Sequence, residues 1–187
     1  MKIIIVGCGK VGITLAEQLT KEKHYVTVID TNYDKIRAVT DSLDVRCIEG
    51  NGICSDVLLD AGVDTADILI AAMETDEKNV MCTLIAKNLG NCQAIARIRT
   101  ANYVDEIRRL KDQLNMSIVL NPDKAAAEEI GKLALYPSSV RRIDSFARGR
   151  INVVSLMIPK GTVLEGCKIK DISRTIKANI LICAIER

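Results

Sequence analysis

Six residues near the amino terminus, Gly7-Cys8-Gly9-Lys10-Val11-Gly12, have the types and spacing that hold a pyrophosphate. In a G-x-G-x-x-G loop the first glycine permits a tight turn and the second admits a phosphate close to the backbone. The third lets the following helix lie against its strand. The first N–H groups of that helix have no intrahelical acceptor and point at the anion. Such a string is weak evidence by itself. Here it follows an isoleucine-rich run, Lys2–Val6, and opens a helical pattern through Val11, Leu15 and Leu19, which is the context it requires. Asp30 ends the run Val26-Thr27-Val28-Ile29-Asp30, 18 residues after Gly12. A carboxylate at that place accepts hydrogen bonds from a ribose diol and repels a 2′-phosphate, so NAD or an adenine nucleotide is expected ahead of NADP. An acid serving the start of the next helix is a compatible role for the same residue.

Arg97 and Arg99 alternate along Ala94-Ile95-Ala96-Arg97-Ile98-Arg99 and so fall on one face of a strand. At a strand's carboxyl end they are good phosphate ligands; against Glu74 or Asp76 they are ordinary ion pairs. Both readings stand. Other chemistry has little to draw on. The single imidazole, His24, falls in a loop at the opposite end of the sheet, and no Ser/His/Asp set, Tyr-x-x-x-Lys motif or metal cluster appears. The seven cysteines include no C-x-x-C pair and read as reduced thiols. The net charge is +2 with acids and bases interspersed, and no basic stripe of the kind nucleic acid requires stands out over residues 1–135. The nucleotide is therefore expected to act as a signal rather than as a substrate, and no catalytic residue is assigned.

These residues need a sheet to position them. Short β-branched runs at Lys2–Val6, Tyr25–Ile29, Val45–Ile48, Ile68–Ala71, Ala94–Ile98 and Ser117–Leu120 alternate with helical patterns, one of them carried by Val80, Met81, Leu84, Ile85 and Leu89. Strands of four to six residues alternating with helices imply right-handed βαβ units and an α/β, Rossmann-like doubly wound parallel sheet. A helix capped by Asn121, with Pro122 first and Asp123 beside it, is expected to run to Tyr136 and stop at Pro137. Its alanines, Ala125, Ala126, Ala127 and Ala134, suit packing on its own sheet or against another helix.

Residues 1–136 thus read as the nucleotide-binding domain and 137–150 as a linker. The linker is biased to base by Arg141, Arg142, Arg148 and Arg150, either as a solvated connector or as a contact for an acidic partner. Residues 151–187 read as a partial α+β carboxyl-terminal domain, with a strand at Ile151–Ile158, a turn at Pro159–Thr162 and a strand at Asn179–Ile185. Two strands cannot bury a core, so this domain is expected to be incomplete or completed by another chain.

Taken in order, the glycine loop, Asp30, Glu49-Gly50-Asn51-Gly52, Leu58–Ala72, Thr75-Asp76-Glu77-Lys78-Asn79, Ala86–Gly90 and Ala96–Arg99 resemble the RCK/KTN family. The resemblance is strong over 1–136 and looser over 151–187. It implies a cytoplasmic regulatory subunit, peripheral to the inner face of the cell membrane, that binds NAD(H) with ATP or ADP at the same site. It also implies homo-oligomers and an integral-membrane potassium-translocating partner, without nucleic acid. Carried over by position, the pocket would comprise Gly7, Cys8, Gly9, Lys10, Val11, Gly12, Asp30, Asn51, Gly52, Met73, Glu74, Arg97 and Arg99. Lys10 stands where some relatives have Arg. Met73 stands where Thr is common, which removes a side-chain hydrogen bond there. The rival expectation is the amino-terminal portion of an NAD-dependent oxidoreductase; a redox-sensing repressor is disfavoured by the lack of a reading helix.

Overall fold

A computed structural model describes residues 1–110, 118–134, 140–146, 150–176 and 180–186. Ser117, Tyr136, Pro137, Arg148 and Asn179 of the sequence reading lie outside the described residues. The chain divides into two compact units, 1–126 and 127–187.

The first unit alternates strands and helices: β1 (Lys2–Val6), α1 (Lys10–Lys21), β2 (Tyr25–Asp30), α2 (Tyr33–Ser42), β3 (Arg46–Glu49), α3 (Ser55–Asp60), β4 (Ile68–Ala71), α4 (Asp76–Leu89), β5 (Gln93–Arg97), α5 (Ala101–Leu110), β6 (Ile118–Leu120) and the start of α6 (Pro122–Ala134). The six strands form one parallel sheet in the order β3-β2-β1-β4-β5-β6. The chain winds outward from β1 through β2 to β3, then returns to lay β4 on the other side of β1. That reversal makes the β1/β4 junction the switch point, where loops leave in opposite directions and open a crevice beyond the strands' carboxyl ends.

The aliphatic composition is explained by two-sided burial. In β1 alternate residues serve opposite faces: Ile4 and Val6 pack with Leu58, Leu69 and Cys82, while Ile3 and Ile5 pack with Ala16, Val28 and Val39. A third cluster of Ala96, Ile98, Val104 and Ile107 covers the β5 end. In α4 the inward face is carried by small and polar residues, Asn79, Cys82, Thr83 and Ala86. Met81, expected among its apolar positions, is exposed.

In the second unit, β7 (Val140–Phe146) pairs antiparallel with β8 (Ile151–Leu156), and α7 (Ile169–Ile176) follows a run of turns. This corrects the sequence reading in three places. Half of the expected 137–150 linker is strand, because its backbone pairs with β8 despite its charges, and Arg142 is paired with Asp144 at 3.0 Å. The helix α7 was not expected. The 180–186 segment is not a strand: among the described residues it pairs with neither sheet, and an extended run without a ladder is not a strand.

Leu58 and Leu59 are adjacent in α3, the first fully buried between the sheet and α4 and the second 45% exposed. Leu58→Ala is expected to cost about 2–5 kcal/mol and Leu59→Ala less than about 1 kcal/mol. Urea unfolding of the two variants measures the difference; similar losses would show that this face of the sheet is not packed as described.

Candidate functional site: a cationic cleft at the switch point

The chain leaves β1 at Gly7 with φ at +110°, and the Gly7 N–H is donated to the Ile29 carbonyl at 2.7 Å. A Cβ at Gly7 would stand 2.7 Å from the Ala72 carbonyl oxygen, and one at Gly12 would run into the Gly7 carbonyl. These two glycines let β1, β4 and α1 converge. A Cβ at Gly9 meets nothing within 4 Å, so the backbone there faces open space. The expected roles of Gly7 and Gly12 are realised in these contacts, and the open space at Gly9 leaves room for the approach expected there.

The start of α1 is left open. Its first helical hydrogen bond is Ile13 N–H to the Gly9 carbonyl at 3.0 Å, its cap residue Gly9 offers no side-chain acceptor, and its first turn holds no acid. By contrast α2, α4 and α6 are capped by Asn32, Thr75 and Asn121, which accept the N–H groups of Lys35, Lys78 and Lys124. An uncapped helix N-terminus behind a glycine loop is an arrangement suited to an anion.

Around it lies a cleft of about 280 Å³. Of the residues expected from sequence, Gly7, Gly9, Lys10, Val11, Asp30, Asn51, Gly52, Met73, Glu74, Arg97 and Arg99 line it. Cys8 and Gly12 do not. The Cys8 side chain is buried with Ile3 and Ile5 on the sheet face under α1 and α2, so its part in the loop is its backbone. Burial, reinforced by the charge of Asp30, pushes its thiol up to about 12. Gly12 sits behind the loop. Thr31, Lys35, Gly50 and Lys78 also line the cleft and were not singled out. Gly50 and Lys78 fall inside quoted motifs, while Thr31 and Lys35 follow Asp30, a position that was the only available signal. The cleft therefore gathers five cations, Lys10, Lys35, Lys78, Arg97 and Arg99, against two carboxylates, Asp30 and Glu74.

Asp30 is already engaged. One carboxylate oxygen accepts the Cys8 N–H at 2.6 Å and the other accepts the Asn32 N–H at 2.8 Å. It therefore fixes the glycine loop to the end of β2, with lone pairs remaining for a ligand.

On the other flank, buried side chains set the loop ends. Asn79 accepts the Met73 N–H at 2.7 Å and donates to the carbonyls of Met73 at 3.3 Å and Arg97 at 2.8 Å, tying β4 to β5. Met73 is thus held through its backbone, whatever its side chain. Asp76 accepts the N–H groups of Arg99 and Thr100 at 3.0 and 2.9 Å, and Asn121 donates to the Arg99 carbonyl at 2.8 Å. The Arg99 guanidinium donates to the Glu74 carbonyl. Of the two ion-pair partners expected, Glu74 meets Arg99 through its backbone and Asp76 meets it through the Arg99 N–H. Arg99 lies just past the strand. Arg97 ends it, with its Nε buried and without a hydrogen-bond partner.

A parallel sheet in this order with a phosphate-type loop and a cationic cleft at its switch point defines a nucleotide-binding α/β domain of the doubly wound class. The chain belongs to the TrkA-N domain family, whose model matches residues 3–122. It is 35% identical over 169 residues to the Trk system potassium uptake protein TrkA of Vibrio alginolyticus, covering 89% of this chain and 37% of that protein. Its fold is similar to the TrkA-N domain of inner membrane protein ybaL from Escherichia coli, with a TM-score of 0.63 at 21% identity over 71% of this chain and 95% of that one. It is also similar to the GsuK channel bound to NAD, with a TM-score of 0.59 at 21% identity over 78% of this chain and 26% of that one. The same channel bound to ADP matches with a TM-score of 0.56 at 22% identity, over 64% and 31% of the respective chains. The chain thus spans little more than a third of the length of the Vibrio relative.

Burial pushes the Asp76 carboxyl upward, but the N–H donors of Arg99 and Thr100, the Thr100 hydroxyl and the Arg99 charge outweigh it, and the group is held below its ordinary 3.8. A folded-state value depressed in this way adds stability above the unfolded value, and that stability is lost as the pH falls through the folded one. Asp76→Asn should therefore lower stability at neutral pH and flatten its decline below about pH 4. Denaturant midpoints across the acid range test this; an unchanged acid slope would remove Asp76 from the account.

Proposed function

We propose that this chain is a cytoplasmic regulatory module that binds NAD(H), with ATP or ADP at the same cleft, and gates a Trk- or Ktr-type potassium transporter or channel. The observation that carries the reading is the uncapped N-terminus of α1 facing five cations. An adenine nucleotide fits it from both sides: its phosphates complete the orphan N–H groups of the glycine loop, and its ribose reaches Asp30. The potassium partner is argued from kinship. The Vibrio relative is named for potassium uptake, and the GsuK channel carries a similar fold in NAD- and ADP-bound forms. The nucleotide then acts as an effector: it shifts a conformational equilibrium by as much as its contacts differ between the two states. The module works as a homo-oligomer on an integral-membrane potassium-translocating subunit. No helix among the described residues is long and apolar enough to cross a membrane.

Each cleft residue has its own part in this reading. Lys10, at the helix start, faces the outermost phosphate. Arg97, with a buried unpaired Nε, is prearranged for the inner phosphates that NAD and ATP share. Asn51 and Gly52 close the β3 side, where Gly52 packs against Val6, and Met73 and Glu74 close the β4 side.

Thermal shift with NAD, NADH, ATP and ADP tests the reading directly, since a ligand at 100 times its Kd adds about 2.7 kcal/mol to stability. Gly9→Ala places a methyl where the fold has open space but a phosphate must come close. It should leave the unliganded protein within about 1 kcal/mol of the parent while weakening every nucleotide at least about tenfold. No stabilisation of the parent by any of the four would end the proposal.

The cations separate the ligands further. Arg97→Ala should weaken NAD and ATP alike, by about tenfold or more, since each lost charge-assisted contact is worth about 1.5–3 kcal/mol. Lys10→Ala should weaken ATP more than NAD. Paired dissociation constants at fixed salt decide it, and equal losses for both ligands in both variants would mean that these residues supply only general attraction.

A further inference from the structure

We propose that Lys35 forms a second anion subsite in this cleft, at the ribose end beside Asp30, and that it takes a phosphate monoester carried on the ribose of an adenine nucleotide. The inference rests on the nucleotide reading above and names a ligand class for one end of the same site.

Three observations carry it. Lys35 lines the cleft and is half-buried, whereas Asp34 and Arg37 on the same helix are exposed. Its ammonium has no hydrogen bond or ion pair among the described residues, although Asp30 shares the cleft with it. Drawing a lysine partly out of water without a partner is unfavourable. The second observation is its place in the chain: Lys35 is the third residue after the Asn32 cap, and its N–H is the one that the cap accepts. A cation in the first turn stands against the helix dipole. A residue set against both local preferences, with no compensating contact, marks a functional position.

The third observation concerns Asp30. The sequence argument for excluding a 2′-phosphate assumes a free carboxylate, but both of its oxygens accept backbone N–H groups, at 2.6 and 2.8 Å. Those donors draw on the charge that would repel a phosphate, and the Lys35 ammonium on the same wall opposes what remains. The Thr31 hydroxyl, exposed on that wall, adds a donor. A dianionic phosphate monoester is the group that this combination fits: one point charge and one hydroxyl donor next to a ribose-binding carboxylate. Selectivity at the ribose is then set by Lys35 and Asp30 together, with opposite signs.

A monoester on the ribose occurs at the 2′ position in NADP and at the 3′ position in coenzyme A. Titration calorimetry on the full chain with NAD, NADP and coenzyme A, at fixed salt, tests the subsite and distinguishes the two. The parent should bind NAD, and should bind NADP or coenzyme A within about tenfold of it. Lys35→Met keeps the apolar stem. It should weaken the phosphorylated ligand at least about tenfold more than it weakens NAD, and Lys35→Arg should restore the ratio. Asp30→Asn should move the same ratio the other way. Melting of each variant without ligand checks the fold. If Lys35→Met weakens NAD and the phosphorylated ligand equally, or neither, the subsite is overturned. It is also overturned, with the nucleotide reading intact, if the parent binds NAD but neither NADP nor coenzyme A. If none of NAD, NADH, ATP and ADP binds, both readings fall together.

Discussion

The Asp30 carboxylate accepts the N–H of Cys8 at 2.6 Å, and the neighbouring Ile29 carbonyl accepts the N–H of Gly7 at 2.7 Å. These two bonds make the end of β2 the template on which the glycine loop is folded. They orient Gly7 for its positive φ and carry the chain over the edge of the sheet. They also use up the N–H groups of residues 7 and 8, so that the next ones, at Gly9 and in the first turn of α1, are left facing the cleft without acceptors. An acid at this point has two tasks with opposite electrostatic consequences. Its charge holds the loop through backbone donors, and under the proposed nucleotide reading the same charge would set the terms on which a ribose substituent enters.

The far wall of the cleft is built differently. It has no glycine loop to shape it, and the ends of β4, β5 and β6 are joined by three buried polar side chains: Asn79, Asp76 and Asn121. Each satisfies backbone groups that the end of a strand leaves unpaired, and such groups are costly to bury alone. The outcome fixes residue 99 at three points: its N–H on Asp76, its carbonyl on Asn121 and its guanidinium on the Glu74 carbonyl. Asn121 also caps α6. Arg99 is therefore joined to the first turn of α6 by hydrogen bonds through Asn121. A connected polar network of this kind has few degrees of freedom, because removing one partner strands the others.

Much of this was legible in the residues alone. The strands of the sheet stand where β-branched runs stand, because two-sided burial demands nearly continuous aliphatic strands, and Lys2–Val6 or Ile68–Ala71 serves no other purpose. The glycine roles were legible because each is a local backbone requirement. The contents of the far wall were harder to see. Asn79, Asp76 and Asn121 meet partners 6 to 24 residues away, and no periodicity marks a polar side chain that will be buried. Met81 misled because helical spacing suits more than one face, and α4 turns Asn79, Cys82, Thr83 and Ala86 inward instead. Lys35 and Lys78 reach the cleft from helix starts, where a lysine ordinarily reads as solvated surface. In the second unit the charges of Arg141 and Arg142 concealed β7, whose pairing with β8 depends on backbone bonds rather than on side-chain polarity. The helix α7 was legible in principle: Ile169, Ile172 and Ile176 recur at helical spacing, with only the middle one buried in this unit.

The glycine loop and the cations together make the cleft a compromise. Lys10, Lys35, Lys78, Arg97 and Arg99 raise the potential at the same place where α1 presents uncompensated N–H groups, and Asp30 and Glu74 offset only part of it. Like charges gathered in a concave, partly dry site repel one another more strongly than on an open surface, because field lines are focused and the local dielectric is lower. The fold tolerates this because β1 and β4 are buried on both sides and the loops are pinned to backbone. A phosphate-bearing ligand relieves it at once. Under the proposed function, ligand affinity and domain stability are therefore linked through the same charges. That link is what the proposed regulatory function would use as its signal.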